Sequence, residues 1–248
     1  MNLQILLLDI KQILTSKRSL YTILIMAVFA LIFSLVVEFS PEDLKAAMEA
    51  AVPPGSAGVF EYVWFSDVML FLLLAVVSFG AFIISDLDDD GILDLTLARP
   101  ESRCSFLLRR TFSVLASFIP VFILGTLIAG IIAAAIVGNM DLLEFLAHHL
   151  TLMPMLLFVI ALTFFLSVPL RNVTHTVLAG FSLPLILSLT HMFMSAGDPG
   201  SEPSILNPMA YSVRVFTGQP LLEAAGVLLV LTCILFLAGG MWFCKKDI

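Results

Sequence analysis

The residues best suited to chemistry in this sequence are charged ones gathered in one short stretch. Between Ser85 and Arg110, Asp86, Asp88, Asp89, Asp90 and Asp94 crowd the first half, and Arg99, Arg103, Arg109 and Arg110 the second. The chemistry on offer there is charge recognition. Carboxylates suit a partner's cations, and guanidinium groups suit lipid phosphates or partner carboxylates. A softer group is His191, Met192, Met194 and Met209, whose imidazole and thioether donors suit a soft metal such as copper. Asp141, Glu144 and His148 are spaced by single helical turns and extend that idea. The simpler alternative is methionines filling gaps between helices and solvated histidines, so no metal site is assigned and His191, Met192 and Met194 stand only as candidates. The sequence has no HExxH, no GxSxG and no GxxxxGK[ST] phosphate loop. It is therefore expected to be non-catalytic and to bind no ATP in the phosphate-loop manner.

The elements that must position these residues are apolar. Of 248 residues, 60% are hydrophobic and 12% charged, with a mean hydropathy of +1.08, whereas a soluble domain carries about 25% charged residues. Such a chain cannot cover its apolar surface in water, and the expectation is an all-α, polytopic membrane protein forming a single transmembrane domain. Residues 1–18 read as an amphipathic interfacial helix, with Leu3, Leu6, Leu7, Ile10, Ile13 and Leu14 on one face and Asp9, Lys11 and Gln12 mostly on the other. Six transmembrane helices follow, at 19–37, 68–84, 111–137, 150–170, 173–196 and 221–243. Outer segments at 38–67 and 197–220 and a cytoplasmic loop at 85–110 separate some of them. Ser40-Pro41-Glu42-Asp43 has the composition of a helix start with a Ser N-cap. Residues 138–149 read as a short loop, and Arg171-Asn172 as a tight turn. Gly125, Ala129, Gly130 and Ala133 allow close helix approach, either within the chain or in a dimer. Cys104, Cys233 and Cys244 are an odd count without CxxC spacing and suggest no disulfide framework. No cleavable signal peptide pattern is present.

Six spans put both termini on one side. Lys11, Lys17, Arg18, Arg99, Arg103, Arg109, Arg110, Arg171, Lys245 and Lys246 share it, leaving only Lys45 and Arg214 opposite. By lysine and arginine bias that side is cytoplasmic, which implies a multi-pass protein of the plasma membrane. The net charge of −7 gives no reason to expect nucleic acid. Ionisable residues at midplane usually mark ion pathways. His175, His191 and Glu223 sit near span ends instead, so autonomous coupled transport is disfavoured and the energy must come from another subunit.

Within the charged stretch, Ser85 or Asp86 can cap a helix, Arg99-Pro100 ends it, and Ser102 can start the next. The run GILDLTLARPESR (91–103), preceded by acids and followed by Phe106-Leu107-Leu108-Arg109, resembles the first cytoplasmic loop of type-2 ABC exporter permeases. The matching positions are Asp88, Asp89, Asp90, Gly91, Leu93, Leu95, Arg99, Pro100, Ser102 and Arg103. Ile92, Leu87 and Asp86 depart from that pattern, standing where Thr, Glu and Gly are usual. The resemblance implies that Asp86 to Arg103, Asp94 included, form a coupling helix docking on a separate ABC ATPase subunit, which would bind ATP and Mg. It also implies a second permease copy or paralogue in the lipid bilayer, and short re-entrant helices in 197–220. Some similar permeases serve copper-site maturation. The alternative is therefore a mechanotransmitting subunit acting on an outer accessory protein without moving a solute.

Overall fold

The structure, a computed structural model, describes residues 3–52, 58–65, 69–89, 102–138, 140–197, 211, 215 and 221–245. Among these residues there are eleven helices of more than one residue and no strand. They are α1 Leu3–Leu14, α2 Lys17–Phe39, α3 Glu42–Ala51, α4 Val59–Val63, α5 Met69–Ala81, α6 Ser85–Asp89, α7 Arg103–Val137, α8 Leu142–Thr151, α9 Met153–Leu170, α10 Val173–Gly197 and α11 Leu221–Lys245. Four of them (α2, α7, α9 and α11) are long and apolar enough to cross a membrane. The chain is thus a helical, multi-pass membrane protein by the length and composition of its helices. Apolar stretches of α5 and α10, Phe71–Ala81 and Val173–Leu187, are shorter.

Packing inverts the pattern of a soluble bundle. On α2 the buried stripe is Ser19, Thr22, Met26, Ala30, Ser34 and Val37, while Leu20, Leu24, Leu31 and Leu35 are exposed. Small and hydroxyl-bearing residues face protein and large aliphatic ones face outward, as expected where lipid is the solvent and close approach drives helix association. The stripe lies along α7, the most extensive helix pair in the fold. Gly125 of α7 meets Met26, and Gly130 faces Leu142 and Phe145 of α8. The small residues of α7 therefore serve packing within the chain at these positions.

The centre is α5 against α9. Leu73, Val76, Val77 and Phe79 of α5, and Met155, Leu156, Val159 and Ile160 of α9, are buried almost completely. Three helices meet at Thr163 of α9. A Cβ on Gly80 of α5 would stand 2.6 Å from Thr163 Cβ and 2.7 Å from the Ile160 carbonyl, and one on Gly180 of α10 would stand 2.6 Å from Thr163 Oγ1. Only glycine permits that approach.

Contacts at the helix ends show that the long elements alternate in direction. At one end Arg18 of α2 meets Asp86 of α6, Ser85 meets Thr176 of α10, and Cys104 of α7 is bonded to Cys244 of α11. At the other, α4 meets α8, and Tyr211 reaches Thr151.

Several expectations need correction. Residues 142–151 form a helix rather than a loop, because Asp141 accepts hydrogen bonds from the Leu143 and Glu144 amides at 2.8 and 3.2 Å and so caps it. Ser40 does not cap α3. It ends α2, its hydroxyl donates back to the Val36 carbonyl, and Pro41 occupies the cap position without a side-chain bond. Cys104 and Cys244 do form a disulfide, across 140 residues of sequence. The expectation that Ser102 starts the helix running into the third span holds: α7 begins at Arg103, and Ser102 caps it by accepting from the Ser105 amide at 3.2 Å. The Arg171-Asn172 turn stands. Arg171 is left-handed at φ 54°, and Asn172 Oδ1 accepts from the His175 amide.

The glycine contacts make a contrast that thermal unfolding in detergent can read. Gly80→Ala and Gly180→Ala are expected to destabilise by about 1–3 kcal/mol each through overpacking. Gly226→Ala, where nothing lies within 4 Å of the new methyl, should not lower stability.

Candidate functional site

The charged stretch enters and leaves the described structure at α6 and at Ser102. Asp90 to Pro100, with Gly91, Leu93, Asp94, Leu95 and Arg99, lie outside the described residues, as do the side chains of Asp88 and Asp89. Its flanks are described, and they are tied into one cluster.

Three arginines converge there. Arg18, at the start of α2, pairs with Asp86 of α6. Arg109 donates from Nη1 to Asp9 Oδ2 of α1 at 2.6 Å, with the arginine side chain only 7% exposed. Arg110 is buried, stands 4.1 Å over the Phe82 ring and lies 3.4 Å by Nη2 from the Phe82 carbonyl. Arg18 lies over the same ring at 4.6 Å. Phe82 sits in the turn joining α5 to α6, so one aromatic face and one carbonyl accept positive charge from two other helices. Desolvated cation–π contacts of this kind contribute about 2 kcal/mol. The third guanidinium is held by ring and carbonyl where no third carboxylate stands among the described partners.

Hydrogen bonds extend the cluster. Ser117 of α7 lies 3.4 Å from the Ile10 carbonyl, Ser19 donates to the Ile13 carbonyl at 2.7 Å, and the Ser85 and Thr176 hydroxyls are 2.8 Å apart. Residues of α1, α2, α5, α6, α7 and α10 are thereby linked at one end of the bundle.

The pairings differ from the sequence reading in two respects. Asp9 lies toward α7 and not on the outer polar face of α1, because Arg109 on the neighbouring helix needs a carboxylate. Leu3, Leu7 and Leu8 of α1 are exposed while Leu6 and Ile13 are buried. Arg109 and Arg110 are used inside the chain rather than offered to lipid phosphates or a partner. Asp86 likewise has an internal partner. Arg103 is half-buried at the start of α7 beside the capping Ser102.

The opposite end holds a second polar constellation that sequence reasoning missed. His149 of α8 is fully buried among Trp64, Phe65, Phe122 and Phe145. Trp64 donates its indole N–H to His149 Nε2 at 2.7 Å, and His149 Nδ1 lies 2.8 Å from the Phe145 carbonyl. An indole only donates and a carbonyl only accepts. The imidazole is therefore neutral, with its proton on Nδ1. Burial, chiefly, pushes its pKa down from 6.5 to about 3, with a smaller lowering from His148 and an opposing pull from the Phe145 carbonyl. Next to it, His148 Nδ1 lies 2.8 Å from the buried Glu61 Oε1 of α4. His148 thus pairs across helices with Glu61 and not with Glu144 on its own helix. The solvated reading of these histidines fails for His149, whose aromatic neighbours are Phe145 one turn earlier on α8, Phe122 of α7, and Trp64 and Phe65 more than 80 residues earlier. The consecutive His-His in a Leu/Phe-rich decapeptide was the available signal.

No group of three metal-ligating His, Cys, Asp or Glu side chains occurs among the described residues. The side chains of His191, Met192 and Met194, and Met209 as a whole, lie outside them. Compared with known proteins, the chain matches no family model, no curated protein and no solved structure.

The neutral histidine predicts a pH dependence. Because its folded pKa lies below the unfolded value, His149 contributes stability that is complete above about pH 6.5 and declines as pH falls toward 3. His149→Gln keeps an acceptor for Trp64 and removes the titration. Denaturation of the detergent-solubilised protein between pH 7 and 4 should show a shallower acid-side loss for this variant than for wild type.

Proposed function

We propose that this chain is the permease subunit of an ATP-binding-cassette exporter. Movement would be driven by ATP hydrolysis, with Mg, on a separate ATPase subunit. The observation that carries this reading is the anchoring of both flanks of the charged loop. On one flank α6 is held by Arg18 and Thr176, and on the other α7 is held by Asp9 and Phe82. Displacement there would be delivered to α1, α2, α5, α7 and α10 together. The loop sequence from Asp88 to Arg103 resembles that of type-2 exporter permeases, and the chain carries no phosphate loop of its own. Energy entering at this loop fits all three facts.

In this reading α5 and α10 join the four long helices to give six spans, both termini face the cytoplasm of a plasma membrane, and two permease chains assemble with two ATPases. The Cys104–Cys244 bond runs against the cytoplasmic assignment, since disulfides are rare in the reducing cytosol. The lysine and arginine bias is the weightier argument, and in that compartment the two sulfurs would stand as adjacent thiols.

The mechanotransmitting alternative has one observation in its favour. At the outer end Glu61–His148, Trp64–His149 and Tyr211–Thr151 tie α4, α8 and Tyr211 together, and such a surface could push on an outer accessory protein.

The two halves of the coupling idea separate experimentally. Gly91→Trp and Arg99→Glu should abolish co-purification with an ATPase subunit. Phe82→Leu should leave co-purification intact while lowering ATPase stimulation several-fold. If the loop substitutions leave association and stimulated hydrolysis unchanged, the docking assignment is wrong. Solute flux in vesicles without any ATPase would reject the energy source.

A further inference from the structure

α11 leans on α9 and touches α7 only lightly. Two consecutive glycines explain the lean. Gly239 faces α9 so closely that a Cβ there would stand 2.7 Å from the Phe164 ring. Gly240 faces α7, where the nearest atom to such a Cβ is Leu107 Cδ2 at 3.6 Å. One glycine draws α11 onto α9, and the next leaves an apolar furrow between α11 and α7. The furrow has a volume of about 360 Å³ and is lined chiefly by Leu107, Leu108, Phe164, Phe236, Leu237 and Met241. Its end is marked by Cys104, Cys244 and the exposed Lys245.

We propose that this furrow binds one acyl chain of an anionic glycerophospholipid, with the headgroup phosphate held by Lys245. The lining is almost wholly hydrocarbon, as a lipid tail requires, and the volume falls in the range of small-ligand sites, about 300–1,000 Å³. Leu108, Leu237 and Met241 are more than half exposed, so the furrow opens sideways toward the bilayer. Within the hydrocarbon layer an apolar recess left empty forfeits dispersion contacts, and a chain that fills it regains them. Lys245 is the last residue of α11, beyond its apolar run, the position at which a lysine ending a spanning helix meets headgroups. A lysine at this position favours an anionic over a zwitterionic headgroup. A second copy of the chain fits less well, because a two-fold axis through the furrow would bring one Lys245 toward the other at the same membrane level.

The test is native mass spectrometry of the full chain released from nanodiscs made of equal parts phosphatidylglycerol and phosphatidylcholine. Wild type should retain one lipid, predominantly phosphatidylglycerol. Gly240→Trp, whose indole fills the furrow, should lose that lipid. Lys245→Gln alters an exposed side chain and leaves folding untouched. It should keep one lipid but lose the preference for phosphatidylglycerol by about fivefold, the worth of a single lysine near an anionic surface. Retention unchanged in Gly240→Trp overturns the proposal, and so does a preference unchanged in Lys245→Gln. Conversion of a dimer to a monomer by Gly240→Trp, with lipid retention unaltered, would assign the furrow to a second copy instead.

Discussion

Three guanidinium groups held against two carboxylates and one aromatic ring set the constraint on which the rest of this structure depends. Arg18, Arg109 and Arg110 come from two helices that run the same way, and none of them lies free in solvent. Asp9, Asp86 and Phe82 come from three other places in the chain. Removing one partner of such a part-buried pair leaves a charge uncompensated. The cost of doing so fixes α1 beside α7 and the α5–α6 turn beneath α2. With those positions fixed, the small residues of α2 and α7 are in register, and α5 is enclosed by its neighbours.

The two ends of the bundle are built on different physics. The arginine end is ionic. The opposite end is organised by one neutral histidine whose two nitrogens are both committed, one to an indole and one to a backbone carbonyl, inside an aromatic cage. The Glu61–His148 pair borders that cage toward solvent, with the histidine 18% exposed and the carboxylate 1%. Between the ends, the glycine contacts at Thr163 hold three helices at a separation no other residue permits. A rod fixed at both ends and close-packed in the middle moves as a unit. That is the mechanical property needed if force enters at one end.

Much of this was legible in the sequence. Composition alone demanded a helical membrane protein, and the helices at 17–39, 103–137, 153–170 and 221–245 fall on the apolar runs with ends displaced by a few residues. Ser102, Asn172 and the Arg171 turn were readable because capping is a local interaction. What could not be read was long-range pairing. Arg109 and Arg110 look like one basic patch, yet one finds a carboxylate 100 residues earlier and the other a ring 28 residues earlier. Nothing in the spacing of Asp9 announces that it faces protein. Helix α8 was hidden because Glu144 and two histidines give a decapeptide the polarity of a loop, although Asp141 caps it and Phe145 and His149 form its buried face. The Cys104–Cys244 contact was obscured by 140 intervening residues.

The central claim is that force on the charged loop reaches the spans through the arginine cluster, and a charge-reversal cycle tests it most directly. Arg18→Asp and Asp86→Arg would be made singly and together, and ATPase stimulation measured on membranes containing the co-expressed ATPase subunit proposed as the partner. The account predicts that each single reversal abolishes stimulation and that the double reversal restores a substantial part of it. Single reversals without effect, or a double reversal no better than either single one, would contradict it.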